Sequence, residues 1–464
     1  MRDALQEFES RRGWRPTVAL FDWSQLVEDF LDNIGVSFEA FCREMSGGWM
    51  FGYIDALRLA GVRCVLFCVS ARVAKPSRFR HRATGATICV LPAPKVYRAL
   101  RRRILNPYAA TLEAAAGDVR GAGRRIFWSA AKELAPYLST PLLHFARELR
   151  RERCDAVLCQ DYEHGRFDVC VAIGQVLRLR VFATFQGGSG DDASRNRLEG
   201  FIRRLSVGAS AGLIVASGGE AGRVRARYGL PRERVARIFN PVDLKMWPPV
   251  AGREAARQEL GIASGARVAV WHGRVDFRRK GLDVLLNAWQ KVCVERAGRD
   301  VRLLLVGTGN DARELRAALA EMKPQGLTWV DEYVNDRARL RLYLQAADVY
   351  VFPSRHEGFP VAPVEGMACG LPLVAADAEG VDDILEGGEA SGGVVVRRGD
   401  AEAFGAALGR LLDDETLSRT LGARARRRVE EKFSLEAVGA QLRAFLSEEH
   451  RQTRGVNIKC AFVD

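Results

Sequence analysis

Short apolar runs recur along this chain, and longer stretches of helical period separate them. TVALFD (17–22), VRCVLFCVS (62–70), ATICVLPAP (86–94), DAVLCQD (155–161), RVFATFQ (180–186) and AGLIVAS (211–217) punctuate the first half. RVAVWHGR (267–274), VRLLLVGTG (301–309), LTWVDEY (327–333), DVYVFPS (348–354), LPLVAAD (371–377) and GGVVVR (392–397) punctuate the second. A run that is apolar without alternation suits a strand buried on both faces, which is the situation in a parallel sheet. Strands alternating with amphipathic helices predict right-handed crossovers and an α/β class. Two sets of such strands in 464 residues predict two doubly wound, Rossmann-like domains. The boundary falls near FNPVDLKMWPPVAGR (239–253), where Pro248 and Pro249 stiffen a linker. The expected domains are 16–243 and 250–435. A final amphipathic helix follows over 436–453, and the tail 454–464 has no assigned role.

Composition narrows the class. Ten cysteines stand mostly among apolar residues, none with zinc-ligand spacing; Cys64 and Cys68 read as reduced core thiols of a cytoplasmic protein. No apolar run reaches the ~18 residues of a membrane span, and the first residues lack the apolar core of a signal peptide. The net charge of +13 points to an anionic partner or to an arginine-rich solvated surface. Residues 56–112 contain twelve Lys and Arg and no Asp or Glu. Within them PKVYRALRRRIL (94–105) carries Lys95, Arg98, Arg101, Arg102 and Arg103, and Val96, Leu100 and Ile104 would form one helical stripe. This predicts peripheral attachment to an anionic membrane surface, with packing of the stripe on the core as the plainer reading.

Two stretches carry chemistry. In VFPSRHEGFPVAPVEGMACGLPLVAAD (351–377), a strand, a loop, a short helix and a second strand form a βαβ unit. Pro363 suits the first helical position and Gly370 the left-handed stop. Glu357 then lies beyond a strand's carboxyl end and Glu365 in the helix's first turn, so both acids could face one pocket. In VAVWHGRVDFRRKGLDVLLNAW (268–289), a loop with Arg274 and Lys280 precedes a helix starting near Gly281 or Leu282. Helix N-termini and cations favour phosphate, although Arg278 and Arg279 make the loop basic in any case. The strand-turn-helix segments LLLVGTGNDARELRA, with Gly307, and MSGGWMFGYIDALRLAGVRC, with Gly47 and Gly48, allow close backbone approach to a ligand and equally suit ordinary turns.

Taken in order and spacing, HGRVDFRRKG, LLLVGTG, ADVYVFPSRHEGFPVAPVEGMACGLPLVAAD and IFNPVD resemble the retaining GT-B glycosyltransferases of family 4 over roughly residues 17 to 450. The resemblance implies a GT-B fold, two Rossmann-like domains facing a cleft, with the acceptor bound by the first and a nucleotide-sugar by the second. It implies that Glu357 contacts the donor sugar, that Glu365 binds ribose hydroxyls, and that Arg274 and Lys280 clamp the diphosphate. Gly358, Phe359 and Pro360 would pass under the donor, and the base would lie beside Glu332, Tyr333 and Val334. The final helix would brace the first domain. Many relatives carry a histidine where Gln186 stands here; Gln186 or His164 is the expected sugar or acceptor contact. The chain has no Asp-x-Asp metal motif, so no metal and no cofactor are expected. The leaving phosphate would help take the acceptor's proton during same-face attack. A nucleoside-diphosphate sugar and an unidentified acceptor are the expected partners, without nucleic acid, at a cytoplasmic location that includes the inner membrane face. The alternatives are a sugar-nucleotide epimerase or phosphorylase of the same fold, or a catalytically idle sugar-nucleotide-binding protein.

Overall fold

The computed structural model describes residues 16–22, 24–45, 48–106, 112–117, 121–185, 187, 197–250, 252–334 and 336–447. The chain divides into two compact units. The first comprises Met1–Val215, Ala221–Ile238 and Gly439–Asp464; the second comprises Ala216–Glu220 and Phe239–Val438.

The first unit holds an eight-stranded sheet among the described residues. Its strands are β1 (Thr17–Phe21), β2 (Arg63–Ser70), β3 (Ser77–Arg80), β4 (Thr87–Pro92), β5 (Ala156–Gln160), β6 (Arg180–Phe185), β7 (Gly212–Val215) and β8 (Val235–Arg237), in the order β3-β4-β2-β1-β5-β6-β7-β8. All neighbours are parallel except β3, which runs antiparallel to β4. The sequence signal missed β3 because SRFR is short and charged, which suits a sheet edge. It also missed the three-residue β8. Cys64 and Cys68 are buried free thiols on β2, and burial raises both above the usual thiol range.

The second unit holds β9 (Arg267–His272), β10 (Val301–Val306), β11 (Leu327–Val330), β12 (Val349–Phe352), β13 (Leu373–Ala376) and β14 (Gly393–Val396) in the order β11-β10-β9-β12-β13-β14, all parallel. Alternate residues explain the continuous apolar runs. Val268, Val270, Tyr350 and Phe352 pack into one core cluster, while Ala269, Trp271, Val349 and Val351 pack into another. The strand order reverses between β9 and β12, so their carboxyl ends flank a topological switch point, where open α/β sheets place ligands.

The basic segment differs from its expected form. Its helix spans Lys95–Arg101 and stops there, leaving Arg102 and Arg103 in a turn. The apolar residues do not share one face: Val96 is 67% exposed, whereas Tyr97 and Ile104 are buried. Arg101 is held by both carboxylate oxygens of Asp29, so an acid from outside the acid-free stretch neutralises it. The final helix spans Leu435–Leu446, and from Gly439 onward its residues belong to the first unit. There Arg443 donates to the Ala60 carbonyl at 2.8 Å.

At the end of β1, Arg166 is buried and donates to the Asp22 carbonyl (2.9 Å) and carboxylate (3.2 Å) and to the carbonyls of Ser24 and Gln25. Burial nevertheless pushes the Asp22 carboxyl up to about 6, against the opposing charge of Arg166 and the Ser24 hydrogen bond. A raised carboxyl means that the folded chain holds this proton more tightly than the unfolded chain. Stability from Asp22 is therefore present at low pH and is lost as pH rises from about 4 through about 6, by on the order of 2–3 kcal/mol. Urea melts should show Asp22→Asn gaining on the parent chain across that window and running parallel above it. Superimposable pH profiles for the two proteins would contradict the assignment.

Candidate active site

The site is built from two loops of the second unit that leave the adjacent strands β9 and β12. The first runs from His272 to the helix Leu282–Glu295, whose N-cap is Gly281. The second runs from Pro353 to the helix Val361–Ala368, whose N-cap is Pro360. That helix begins two residues before the position expected from Pro363, so Glu365 sits in its second turn rather than its first. Gly370 ends it in the left-handed region as expected, at φ +81°.

The loops are stitched together. The Arg355 amide donates to the Arg279 carbonyl at 2.9 Å, and the Arg355 guanidinium donates to the Arg278 carbonyl at 2.7 Å. The same guanidinium grips both oxygens of Asp283 at 2.6 and 2.8 Å. Burial raises Asp283, but Arg355 outweighs it and holds the carboxyl below its usual range. Gly281, at φ +65°, approaches so closely that an added Cβ would lie 2.0 Å from the Pro353 carbonyl oxygen. Gly281→Ala should cost at least about 2 kcal/mol, combining left-handed strain with displacement of the second loop. Gly261, at φ +67° with open space around it, isolates the backbone part of that cost. Equal urea midpoints for the two variants would show that the loop contact contributes nothing.

The two stitched loops and the helix Val361–Ala368 carry the four expected donor residues. Lys280 Nζ meets Glu357 Oε1 at 2.6 Å, with both side chains largely buried. Arg274 is exposed on the same loop and has no side-chain partner among the described residues. Glu365 is buried, and its Oε2 lies 2.9 Å from His272 Nε2. A carboxylate only accepts, so Nε2 carries a proton; the Tyr350 hydroxyl lies 3.1 Å from Nδ1 and donates to the His272 carbonyl at 3.3 Å. Burial, reinforced by the nearby Glu365 and Glu357 charges, pushes Tyr350 well above the usual phenol range, so the hydroxyl keeps its proton. Arg337 approaches the other Glu365 oxygen at 3.5 Å. His272, Tyr350 and Arg337 were not among the candidates expected from sequence. Their only sequence signal was position, since His272 ends β9 beside the candidate loop.

Other candidates fall as follows. Gly307 follows β10, and an added Cβ there would lie 1.9 Å from the Gly273 carbonyl oxygen, so loop packing already requires this glycine. Glu332, Tyr333 and Val334 follow β11; Tyr333 is exposed and Glu332 pairs with Arg339. The Phe359 ring is buried and stacks on Phe239 at 5.2 Å, so its side chain belongs to the core, beside Gly358 and Pro360 in the turn. In the first unit, His164 caps the helix Gly165–Leu177, with Nε2 3.4 Å from Asp161 Oδ2. Gly48 opens the helix Gly48–Leu59, while Gly47 and Gln186 lie outside the described residues. Among the described residues no group of three His, Cys, Asp or Glu side chains could hold a metal ion. No helix among them is long and apolar enough to cross a membrane.

The architecture and loop chemistry coincide with two family models: Glycosyltransferase Family 4 over residues 51–246 and Glycosyl transferases group 1 over residues 266–414. The chain belongs to this glycosyltransferase family. Its relatives include alpha-maltose-1-phosphate synthase of Mycolicibacterium smegmatis, 29% identical over 57% of this chain and 68% of that protein. Another is D-inositol 3-phosphate glycosyltransferase of Nocardia farcinica, 31% identical over 48% of this chain and 50% of that protein. The matched stretch thus spans about two thirds of the first relative and half of the second. The fold is GT-B. Sucrose-phosphate synthase of Thermosynechococcus elongatus superposes with TM-score 0.62 at 20% identity, covering 94% of this chain and 99% of that one. Anabaena HepE in complex with UDP superposes with TM-score 0.63 at 14% identity, covering 93% and 99%.

Proposed function

We propose that this chain transfers a sugar from a nucleoside-diphosphate sugar to an acceptor hydroxyl, with retention of configuration and without a metal ion. The observation that carries the reading is the Lys280–Glu357 contact of 2.6 Å at the β9/β12 switch point, on the loop that also carries Arg274. Departure of a nucleoside diphosphate builds negative charge on its phosphates, and preorganised cations stabilise such charge. Lys280 and Arg274 supply them. Glu357 stands where a sugar hydroxyl bonded to it would adjoin a phosphate bonded to Lys280. Glu365, fixed by His272, suits a ribose diol. UDP bound to the structural relative HepE supports a nucleotide donor of this kind.

The test is a screen of nucleoside-diphosphate sugars for release of the nucleoside diphosphate, with and without EDTA. Turnover that survives EDTA and an α-linked product from an α-linked donor are expected. Strict dependence on added divalent metal would overturn the metal-free mechanism, and an inverted product would overturn retention. Interconversion of the donor sugar without transfer would favour an epimerase.

Peripheral attachment to anionic lipid is proposed on a revised surface. The helix Ala122–Leu138 exposes Ile126 (71%) and Phe127 (56%), larger apolar side chains than the exposed Val96 of the Lys95–Arg101 helix, beside the exposed Arg124 and Arg125. Co-sedimentation with phosphatidylglycerol vesicles but not phosphatidylcholine vesicles, abolished in Ile126→Ser/Phe127→Ser, is the expected result. Equal pelleting with both lipids would exclude it.

A further inference from the structure

A cavity lies in the same unit at the opposite edge of the sheet, beside the start of β9 and the residues preceding β12 and β13. Its volume is about 570 Å3, and its lining includes Arg253, Arg267, Asp348, Glu415, Arg419 and Arg426. The charges are not balanced. Asp348 is paired twice, with Arg257 at 2.7 Å and Arg253 at 3.1 Å. Glu415 is also paired twice, with Arg267 at 2.8 Å and with Arg419 one helical turn on. Arg426 is satisfied by Glu430 and by the Trp247 and Ala368 carbonyls. One guanidinium would neutralise each of the two shared carboxylates, so Arg253 and Arg419 are surplus.

Arg257 explains itself structurally. It is buried, and beyond Asp348 it donates to the Ala346 and Ser264 carbonyls at 3.0 and 2.7 Å. Arg253 has no such explanation. Its Nε is shielded from solvent and meets no acceptor among the described residues. Burial lowers its pKa below the usual guanidinium range, and the neighbouring Arg257 and Arg419 charges add to that while Asp348 opposes it. Crowding like charges around an unsatisfied donor is costly unless an anion joins them. Pro249, Val250 and Pro372 line the same cavity, giving the anion's remainder an apolar wall. The volume falls in the range of small-molecule sites, roughly 300–1,000 Å3.

We propose that this cavity binds a phosphate monoester dianion, with the phosphate on Arg253 and Arg419 and the organic body against Pro249, Val250 and Pro372. Two surplus positive charges match a dianion, and guanidinium forks match phosphate oxygens. The site is separate from the donor loops, which leave the other ends of the same strands. It does not depend on the donor assignment.

Calorimetric titration of the full chain with phenyl phosphate, and with phenol as the uncharged control, tests this. Phenyl phosphate is expected to bind with Kd below about 1 mM, and phenol not to bind. Arg253→Gln/Arg419→Gln should weaken binding ten-fold or more, because each substitution removes a charge-assisted contact. Asp348 and Glu415 keep Arg257 and Arg267 as partners, so the double variant retains both ion pairs. Ala423→Phe, which leaves every arginine in place and fills the cavity from an exposed position, should also abolish binding. Lys280→Ala should leave the affinity unchanged. Undiminished affinity in both cavity variants, loss of binding in Lys280→Ala instead, or no binding to the parent chain would each overturn the proposal.

Discussion

Lys280→Ala is expected to lower kcat by ten-fold or more while leaving the fold intact. The proposed role is stabilisation of a leaving diphosphate, and removing one transition-state donor costs on the order of a hundred- to a thousand-fold in well-studied cases. The substitution also leaves Glu357, whose side chain is 8% exposed, without the cation 2.6 Å away. Part of any loss could therefore come from a stranded carboxylate. A double-mutant cycle with Glu357→Gln separates the two causes. If Lys280 acts only as partner to Glu357, the double variant is no slower than Glu357→Gln alone. If Lys280 acts on the donor, the double variant is slower than Glu357→Gln alone. Turnover of Lys280→Ala within two-fold of the parent would remove Lys280 from the mechanism.

The two glutamates should separate kinetically. A carboxylate that accepts ribose hydroxyls contributes equally before and during reaction, so Glu365→Gln is expected to raise donor KM more than it lowers kcat. Glu357→Gln should do the reverse if it touches the reacting sugar. The proposed role of His272, 2.9 Å from Glu365, is to position that carboxylate. His272→Ala should reproduce the KM effect of Glu365→Gln with kcat largely spared. His272→Gln, which can still donate to Glu365, should restore part of it. Identical profiles for Glu357→Gln and Glu365→Gln would refute the division of labour. A His272→Ala effect confined to kcat would refute the positioning role.

The strands of the second unit were legible because β9 and β12 bury both faces, which leaves no polar residue to interrupt the run. The left-handed stop at Gly370 was legible because a positive φ demands glycine so strongly. Glu357, Glu365, Arg274 and Lys280 could be nominated from their loops and from family likeness. Their pairing could not be read. Lys280 meets Glu357 across 77 positions and His272 meets Glu365 across 93, and nothing local encodes such partners. The basic helix shows the opposite failure. Val96, Leu100 and Ile104 had helical spacing, but the helix stopped at Arg101, whose own charge is paired with Asp29, 72 positions away. A local pattern reports which face a helix would have, and tertiary partners decide whether the helix continues.

The stitched loops have a consequence for exchanging the proposed donor site between relatives. The carbonyls of Arg278 and Arg279 receive their hydrogen bonds from Arg355, and the His356 carbonyl receives one from Arg279 in return. A loop transplanted alone from a relative would arrive without its reciprocal donors and acceptors, and the Gly281–Pro353 approach tolerates no side chain between them. The exchangeable part is therefore the non-contiguous pair, 272–283 together with 353–365. Chimeras that move both segments should keep a folded donor site, whereas those that move either one should lose it even when every residue assigned to the nucleotide-sugar is retained.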